Sequence, residues 1–212
     1  QFHSDIALIK SFVKSWDRLA PEQIKFERLA GLSNMTYKVT ALDSMVSPSS
    51  VIFRRFGDNS EIIDRDRENY IFQELAKKGL GPSCYGLDQT IRVEEFYDSR
   101  VLNSSEVNTR FIRRNLAKNV AVLHKVDLEG LDKKPMILKV LEEGNFFKLV
   151  EEKASKDIYS FVEKKWLQEI MSITSEDETN FLLDILPKSK ESVVFSHNDL
   201  HSQNILVLEK SS

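Results

Sequence analysis

The spacing of apolar residues changes twice along this chain, and that limits the folds open to it more than any other feature. Near the N-terminus Ile6, Ile9, Phe12, Val13, Trp16 and Leu19 recur at three- and four-residue intervals, which predicts an amphipathic helix capped by Ser4 or Asp5 and closed by Pro21. From Ile24 to Phe56 the pattern gives way to short β-prone runs: Ile24 to Ala30, Met35 to Leu42 and Val51 to Phe56. Gly31-Leu32-Ser33-Asn34 and the polar Ser47-Pro48-Ser49-Ser50 separate them, so three antiparallel strands are expected. A helix over Ser60 to Lys78 follows, with Ile71, Phe72, Leu75 and Ala76 inward and Gly79 as its stop. Ser83 to Leu87 and Ile91 to Phe96 read as two more strands across a turn at Asp88-Gln89. Beyond residue 100 the helical period takes over, clearest at Ile112, Leu116, Val120 and Leu123, weaker near 136–152, 155–172 and 176–186. Ser192 to Phe195 and Ile205 to Leu208 close the chain as a late hairpin around the polar loop from Ser196 to Asn204. A five-strand sheet followed by a helical region is an α+β architecture.

Composition narrows the function. With 41% apolar and 30% charged residues in 212, the chain can bury a core and is not disordered. A net charge of -3 supplies no basic field for nucleic acid. The single cysteine, Cys84, rules out an internal disulfide framework and a multi-thiolate zinc site, and fits a reducing, cytoplasmic setting. No apolar run exceeds four residues, so no membrane insertion is expected. A start at Gln1 and a stop at Ser212 directly after a strand-like run read as a segment of a longer protein.

The sharpest motif is His197-Asn198-Asp199 with Asn204 five residues after the aspartate. A carboxylate and an amide at that spacing suit phosphoryl transfer. Asp199 can accept the proton of an attacking hydroxyl, and the carbonyl of Asn204 can hold a magnesium ion that neutralises phosphate charge. With 4 histidines, 14 aspartates and 11 asparagines, H-x-D-x-x-x-x-N arises by chance about 0.01 times in such a chain. The rest of a kinase-like set stands upstream in the right order. Val51-Ile52-Phe53-Arg54 resembles the strand that presents a cation to nucleotide phosphates, and Glu68 on the next helix is the natural partner to orient Arg54. Gly31-Leu32-Ser33-Asn34 is either a phosphate-covering loop or a plain turn. Glu94-Glu95-Phe96 is either an adenine-binding hinge, through main-chain contacts, or an edge strand. Trp16 and Trp166 lie on amphipathic stripes and are assigned to packing. His197, Asp199 and His201 alternate along a loop, which gives no preset geometry for zinc.

Taken together these blocks resemble the choline/ethanolamine kinases, a family of protein-kinase-like small-molecule kinases. The likeness runs through Gly31 to Asn34, Val51 to Gly57, Ile63 to Glu68, Gly81-Pro82 to Gly86, Arg92 to Phe96 and Ser196 to Leu200. The last block is the most specific, with Asn198 where protein kinases usually carry arginine. The resemblance implies a two-lobed protein-kinase-like fold: an N-terminal nucleotide-binding lobe over 1–96, a hinge at 97–100 and a helical, incomplete C-terminal lobe over 101–212. It implies transfer of the ATP γ-phosphate, with Mg2+, to the hydroxyl of choline or ethanolamine, the first step of phosphatidylcholine or phosphatidylethanolamine synthesis. Asp199 would be the base, Asn204 a magnesium ligand, and His197 the structural anchor of the loop. Arg54 would meet the nucleotide phosphates with Glu68 behind it, and Ser33 and Asn34 would cover them. His201 stands where choline kinases commonly carry glutamine, which leaves the choice of amino alcohol open, as is a homodimer.

The family continues past its catalytic loop to a metal-binding aspartate and to the helices that box the substrate ammonium, and the chain stops before either. The chain alone is therefore expected to be inactive, and the full-length protein an active kinase. Two alternatives stand beside that reading: a related kinase for an aminoglycoside or sugar, and a catalytically silent nucleotide-binding pseudokinase.

Overall fold

The computed structural model describes residues 2–29, 34–57, 64–135, 138, 152, 164–166, 169, 176–188 and 192–209. The chain divides into two compact units, Gln1–Leu123 with His197–Ser212, and His124–Ser196.

The first unit is built on a five-stranded antiparallel sheet. Its strands are β1 (Ile24–Arg28), β2 (Asn34–Ala41), β3 (Ser50–Phe56), β4 (Cys84–Leu87) and β5 (Ile91–Glu95), in spatial order β1-β2-β3-β5-β4. All five fall where the sequence places strands. Register decides what each face carries, because side chains alternate along a strand. Val39 lies opposite Val51, Tyr37 opposite Phe53, and Phe53 opposite Val93, so these residues share one face. That face is closed by helix α1 (His3–Phe12) and the segment after it. Ile9, Val13, Trp16, Val39, Val51, Phe53, Ile91 and Val93 form the buried core there. Asp5 of α1 ties the helix down through an ion pair to Arg55.

The N-terminal helix is shorter than its periodicity predicts. It starts one residue before Ser4, with Phe2 at the N-cap and no side-chain cap, and ends at Phe12; a 3-10 turn over Lys14–Trp16 follows. Tertiary anchoring outweighs helix continuation here: the Trp16 indole donates to the Pro48 carbonyl at 2.8 Å, and Lys10 Nζ donates to the Leu19 carbonyl at 2.8 Å. Phe2, free of the helix, stacks on Phe26 at 4.3 Å.

The opposite face of the sheet is polar, and α2 (Arg65–Lys77) lies against it. Asp64 caps α2, its carboxylate accepting from Arg67 N at 3.0 Å, and Gly79 at φ +67 ends it, as glycine's freedom at positive φ allows. The expected onset at Ser60 lies outside the described residues. The inward positions differ from the apolar set expected: Arg65 and Asn69 are the buried residues of α2, and Phe72 packs on a guanidinium.

Past the sheet, β6 (Ser99–Val101) pairs antiparallel with β7 (Leu206–Leu208). This replaces the expected late hairpin, since Ser192 to Phe195 forms no strand. Two short apolar runs flanking a loop do not specify each other as partners, and β7 instead finds its backbone partners across more than a hundred residues. Helix α3 (Arg110–Leu123) carries the predicted stripe. In the second unit α4 (Glu176–Ile185) runs into a 3-10 turn over Leu186–Lys188. The helical stretches expected near 136–152 and 155–172 lie almost wholly outside the described residues. Trp166, expected to pack, is 62% exposed, whereas Trp16 is fully buried.

Candidate active site

Two groups of residues hold the chemistry, and both belong to the first unit. The first lies on the polar face of the sheet. Thr36, Arg54 and Arg92 sit directly opposite one another on β2, β3 and β5, with Asn34 and Glu94 two residues along the same face. Like charges directly opposite on a sheet repel, so Arg54 and Arg92 need an anion between them. Glu94 supplies it: its Oε1 accepts from Arg54 Nε and from Arg92 Nε, each at 2.8 Å. Arg54 Nη1 also reaches Thr36 Oγ1 at 3.4 Å. Arg92 is fixed in turn by Asn69 Oδ1 at 3.2 Å and by the ring of Phe72, 3.9 Å from its guanidinium carbon. Burial alone would push the Glu94 carboxyl up, but the charges and hydrogen bonds of Arg54 and Arg92 outweigh it and hold it below the usual carboxylate range.

The second group is the loop from His197 to Asn204. Asn198 sits in the left-handed region at φ 61, a conformation asparagine tolerates better than most residues. His197 Nδ1 accepts from Asp199 N at 3.3 Å. Asn204, on a 3-10 turn over Ser202–Asn204, donates through Nδ2 to Asp199 Oδ2 at 2.8 Å and to the Asp199 carbonyl at 2.9 Å. His201 Nε2 lies 3.1 Å from the same Nδ2 and 3.5 Å from Asp199 Oδ1. With its nitrogen facing two oxygens of Asp199, the Asn204 amide must turn its carbonyl oxygen the other way, because a flipped amide would set oxygen against oxygen. Asp199 is 72% exposed and His201 51% exposed, so solvent and ligands reach both.

The two groups are linked by chain topology. Leu102 N donates to the Ile205 carbonyl at 2.8 Å and Glu209 N to the Asp98 carbonyl at 3.0 Å, extending the β6–β7 ladder at both ends. Only residues 96–98 separate β5 from β6, a span of at most about 14 Å fully extended.

The sequence matches the family model described as choline/ethanolamine kinase over residues 26–212. The chain belongs to the choline/ethanolamine kinase family. It is 29% identical over 205 residues to a probable ethanolamine kinase of Arabidopsis thaliana, covering 95% of this chain and 53% of that protein. It is 26% identical over 202 residues to a choline/ethanolamine kinase of Homo sapiens, covering 92% and 49%. The crystal structure of choline kinase from Cryptosporidium parvum superposes with a TM-score of 0.73 at 21% identity, over 99% of this chain and 62% of that one. That likeness bears out the expected α+β, protein-kinase-like fold. The chain spans about half the length of the curated relatives it matches.

Within this kinase-family chain, the structure brings Asp199, Asn204, His197 and His201 together on one loop, and Asn34, Arg54 and Glu94 together on one sheet face. Asn34 Oδ1 accepts from Gly57 N at 3.3 Å, bridging the ends of β2 and β3. Ser33 lies outside the described residues. Glu68 is not at Arg54: it pairs with Arg65 at 2.5 Å and with Arg92 at 3.6 Å. Glu94, expected either in a hinge or on an edge strand, lies on β5, an interior strand, with its side chain bonded to Arg54 and Arg92. The main-chain N–H of Glu95 is taken by the Ser83 carbonyl at 2.9 Å, and its carboxylate accepts from Ser83 Oγ at 2.8 Å. Phe96 lies just past the strand, its ring covered by Lys38 Nζ at 4.1 Å. Sequence reasoning missed Arg92 as a site residue; its alternation with Glu94 on a strand next to Arg54's was the available signal.

Proposed function

We propose that the chain carries the nucleotide-facing strands and the catalytic loop of an ATP-dependent kinase that phosphorylates choline or ethanolamine. The observation that carries this reading is the pairing of Asp199 with Asn204 on a loop tied to β6, in a chain of the choline/ethanolamine kinase family. In the reaction the substrate hydroxyl oxygen attacks the γ-phosphorus, the bond from phosphorus to the β–γ bridging oxygen breaks, and ADP leaves. Asp199 orients the hydroxyl and takes its proton. Arg54 meets the phosphates from the sheet, and Asn34, with Ser33 before it in sequence, covers them. Glu95 ends the strand nearest the adenine with Phe96 directly after it, and His201 lines the acceptor side beside Asp199.

The residues fit magnesium. Asn204 offers an amide carbonyl turned away from Asp199, a hard oxygen donor of the kind Mg2+ takes, with water and phosphate oxygens completing the shell. Among the described residues no cluster of three or more His, Cys, Asp or Glu could hold a metal without such help. Asn204 would hold the ion, which would supply neutralisation of phosphate charge.

The product is a phosphorylated amino alcohol, the first intermediate of phosphatidylcholine or phosphatidylethanolamine synthesis. No helix among the described residues is long and apolar enough to cross a membrane, and we place the reaction in the cytoplasm. The lobe division at 97–100 belongs to the same proposal. Magnesium-dependent ATP turnover by the intact protein with choline, with ethanolamine and without acceptor tests it. Acceptor-dependent turnover with either amine is expected. Faster turnover with an aminoglycoside or sugar, or none with any acceptor, overturns it.

A further inference from the structure

We infer that Glu94, not Glu68, is the positioning residue of Arg54, and that Glu68 stands one ion pair removed, acting on Arg92. The inference rests on the proposal that Arg54 meets the nucleotide phosphates. Glu68 is already committed, one oxygen to Arg65 and the other toward Arg92, and makes no ion pair with Arg54. Glu94 is 6% exposed at its side chain and holds Arg54 Nε and Arg92 Nε on a single oxygen. In that dry setting a charge-assisted hydrogen bond fixes geometry far better than an exposed pair does.

The order of anchoring runs outward from the buried contact between α2 and the sheet. Arg92 is clamped by Phe72, Phe56 and Asn69. Arg92 fixes Glu94, and Glu94 fixes the Nε edge of Arg54. The Arg54 side chain is 28% exposed, so the rest of its guanidinium stays available to a phosphate oxygen. Its two polar ties, to Glu94 and to Thr36, leave Nη2 unassigned. The held-down pKa of Glu94 agrees, since the carboxylate stays charged when buried.

Binding of ATP and of adenosine to the intact protein, measured by calorimetry for Arg54→Ala, Glu94→Gln and Glu68→Gln, tests the assignment. Adenosine lacks the phosphates, so a general loss of structure lowers both affinities and a positioning defect lowers only the first. Arg54→Ala and Glu94→Gln are expected to weaken ATP about tenfold, the scale of one charge-assisted contact, and to leave adenosine unchanged. Glu68→Gln is expected to stay within about threefold of native for ATP. Loss of ATP affinity in Arg54→Ala but not in Glu94→Gln overturns the inference and spares the role of Arg54. No loss in Arg54→Ala overturns that role and the inference with it. Should Glu94→Gln fail to fold, Glu68→Gln decides: a loss equal to that of Arg54→Ala overturns the inference, and a near-native affinity supports it.

Discussion

Asn198 occupies a backbone conformation that only a few residues accept, and it stands between His197 and Asp199, the residues proposed to anchor the loop and to act as base. At φ 61 a β-branched side chain would crowd its own carbonyl, so Asn198→Val is expected to cost about 1–2 kcal/mol and to swing Asp199 away from Asn204. Turnover should fall while the melting temperature of the unit drops only slightly, and an unaffected turnover would show that the angle does not matter. Asp199→Asn keeps the shape of the side chain and removes the base. It is expected to lower turnover by about 10²- to 10⁴-fold with ATP affinity nearly intact, as comparison of steady-state kinetics with nucleotide binding would show. The sequence marked Asn198 as the departure from protein kinases, yet the torsion that makes asparagine suitable there depends on where the loop is tied.

At the scale of elements, α1 and the β4–β5 hairpin meet in a tight joint. A Cβ at Gly86 would stand 2.1 Å from ring atoms of Phe12, and the ring is held at its root as the helix ends. Gly86→Ala is expected to destabilise the unit by about 1–3 kcal/mol through overpacking, visible as a lower denaturation midpoint at unchanged slope. Phe53, fully buried at the centre of β3, contacts both Phe26 and Tyr37 ring to ring. Phe53→Ala should cost more, about 3–5 kcal/mol. The pairing of β6 with β7 fixes the far end of the loop from His197 to Asn204 against the exit of β5.

For the whole molecule, acid is the expected weakness. Glu94, Asp88 and Glu106 all titrate lower in the folded chain than their ordinary values of 4.5, 3.8 and 4.5. For Asp88, burial opposes the shift, but the N–H groups of Thr90 and Ile91, the Thr90 hydroxyl and the Arg55 charge outweigh it. Glu106 is brought down to about 2 by hydrogen bonding to Arg100 and to Asn103 N. A carboxyl lowered on folding stabilises the fold above its unfolded pKa and loses that contribution as pH falls through the folded one. Stability should therefore be flat near neutrality and decline progressively below about pH 4.5. Melting curves across that range check it, and Glu94→Gln should flatten the decline; a profile unchanged by that substitution would exclude Glu94 as a contributor.

The alternating runs at 24–28, 34–41, 50–56, 84–87 and 91–95 and the stripe on α3 reflect local periodicity, which a linear pattern encodes directly. The Asp199 and Asn204 pair was equally plain, because both residues share one short loop whose own turn brings them together. Partnership across distance is another matter. Which carboxylate meets Arg54 depends on strand register and on the order β3-β5, since Glu68 and Glu94 are both plausible partners until the sheet sets Arg92 opposite Arg54. Whether Leu206–Leu208 pairs with its neighbour in sequence or with Ser99–Val101 depends on which backbone groups are left open once the sheet has formed. The break after Phe12 likewise follows from the packing of Trp16, not from any helix-stopping residue. Short-range patterns carry the elements because each residue's spacing constrains its neighbours; pairings between elements follow from burial and hydrogen-bond closure, which exist only once distant segments meet.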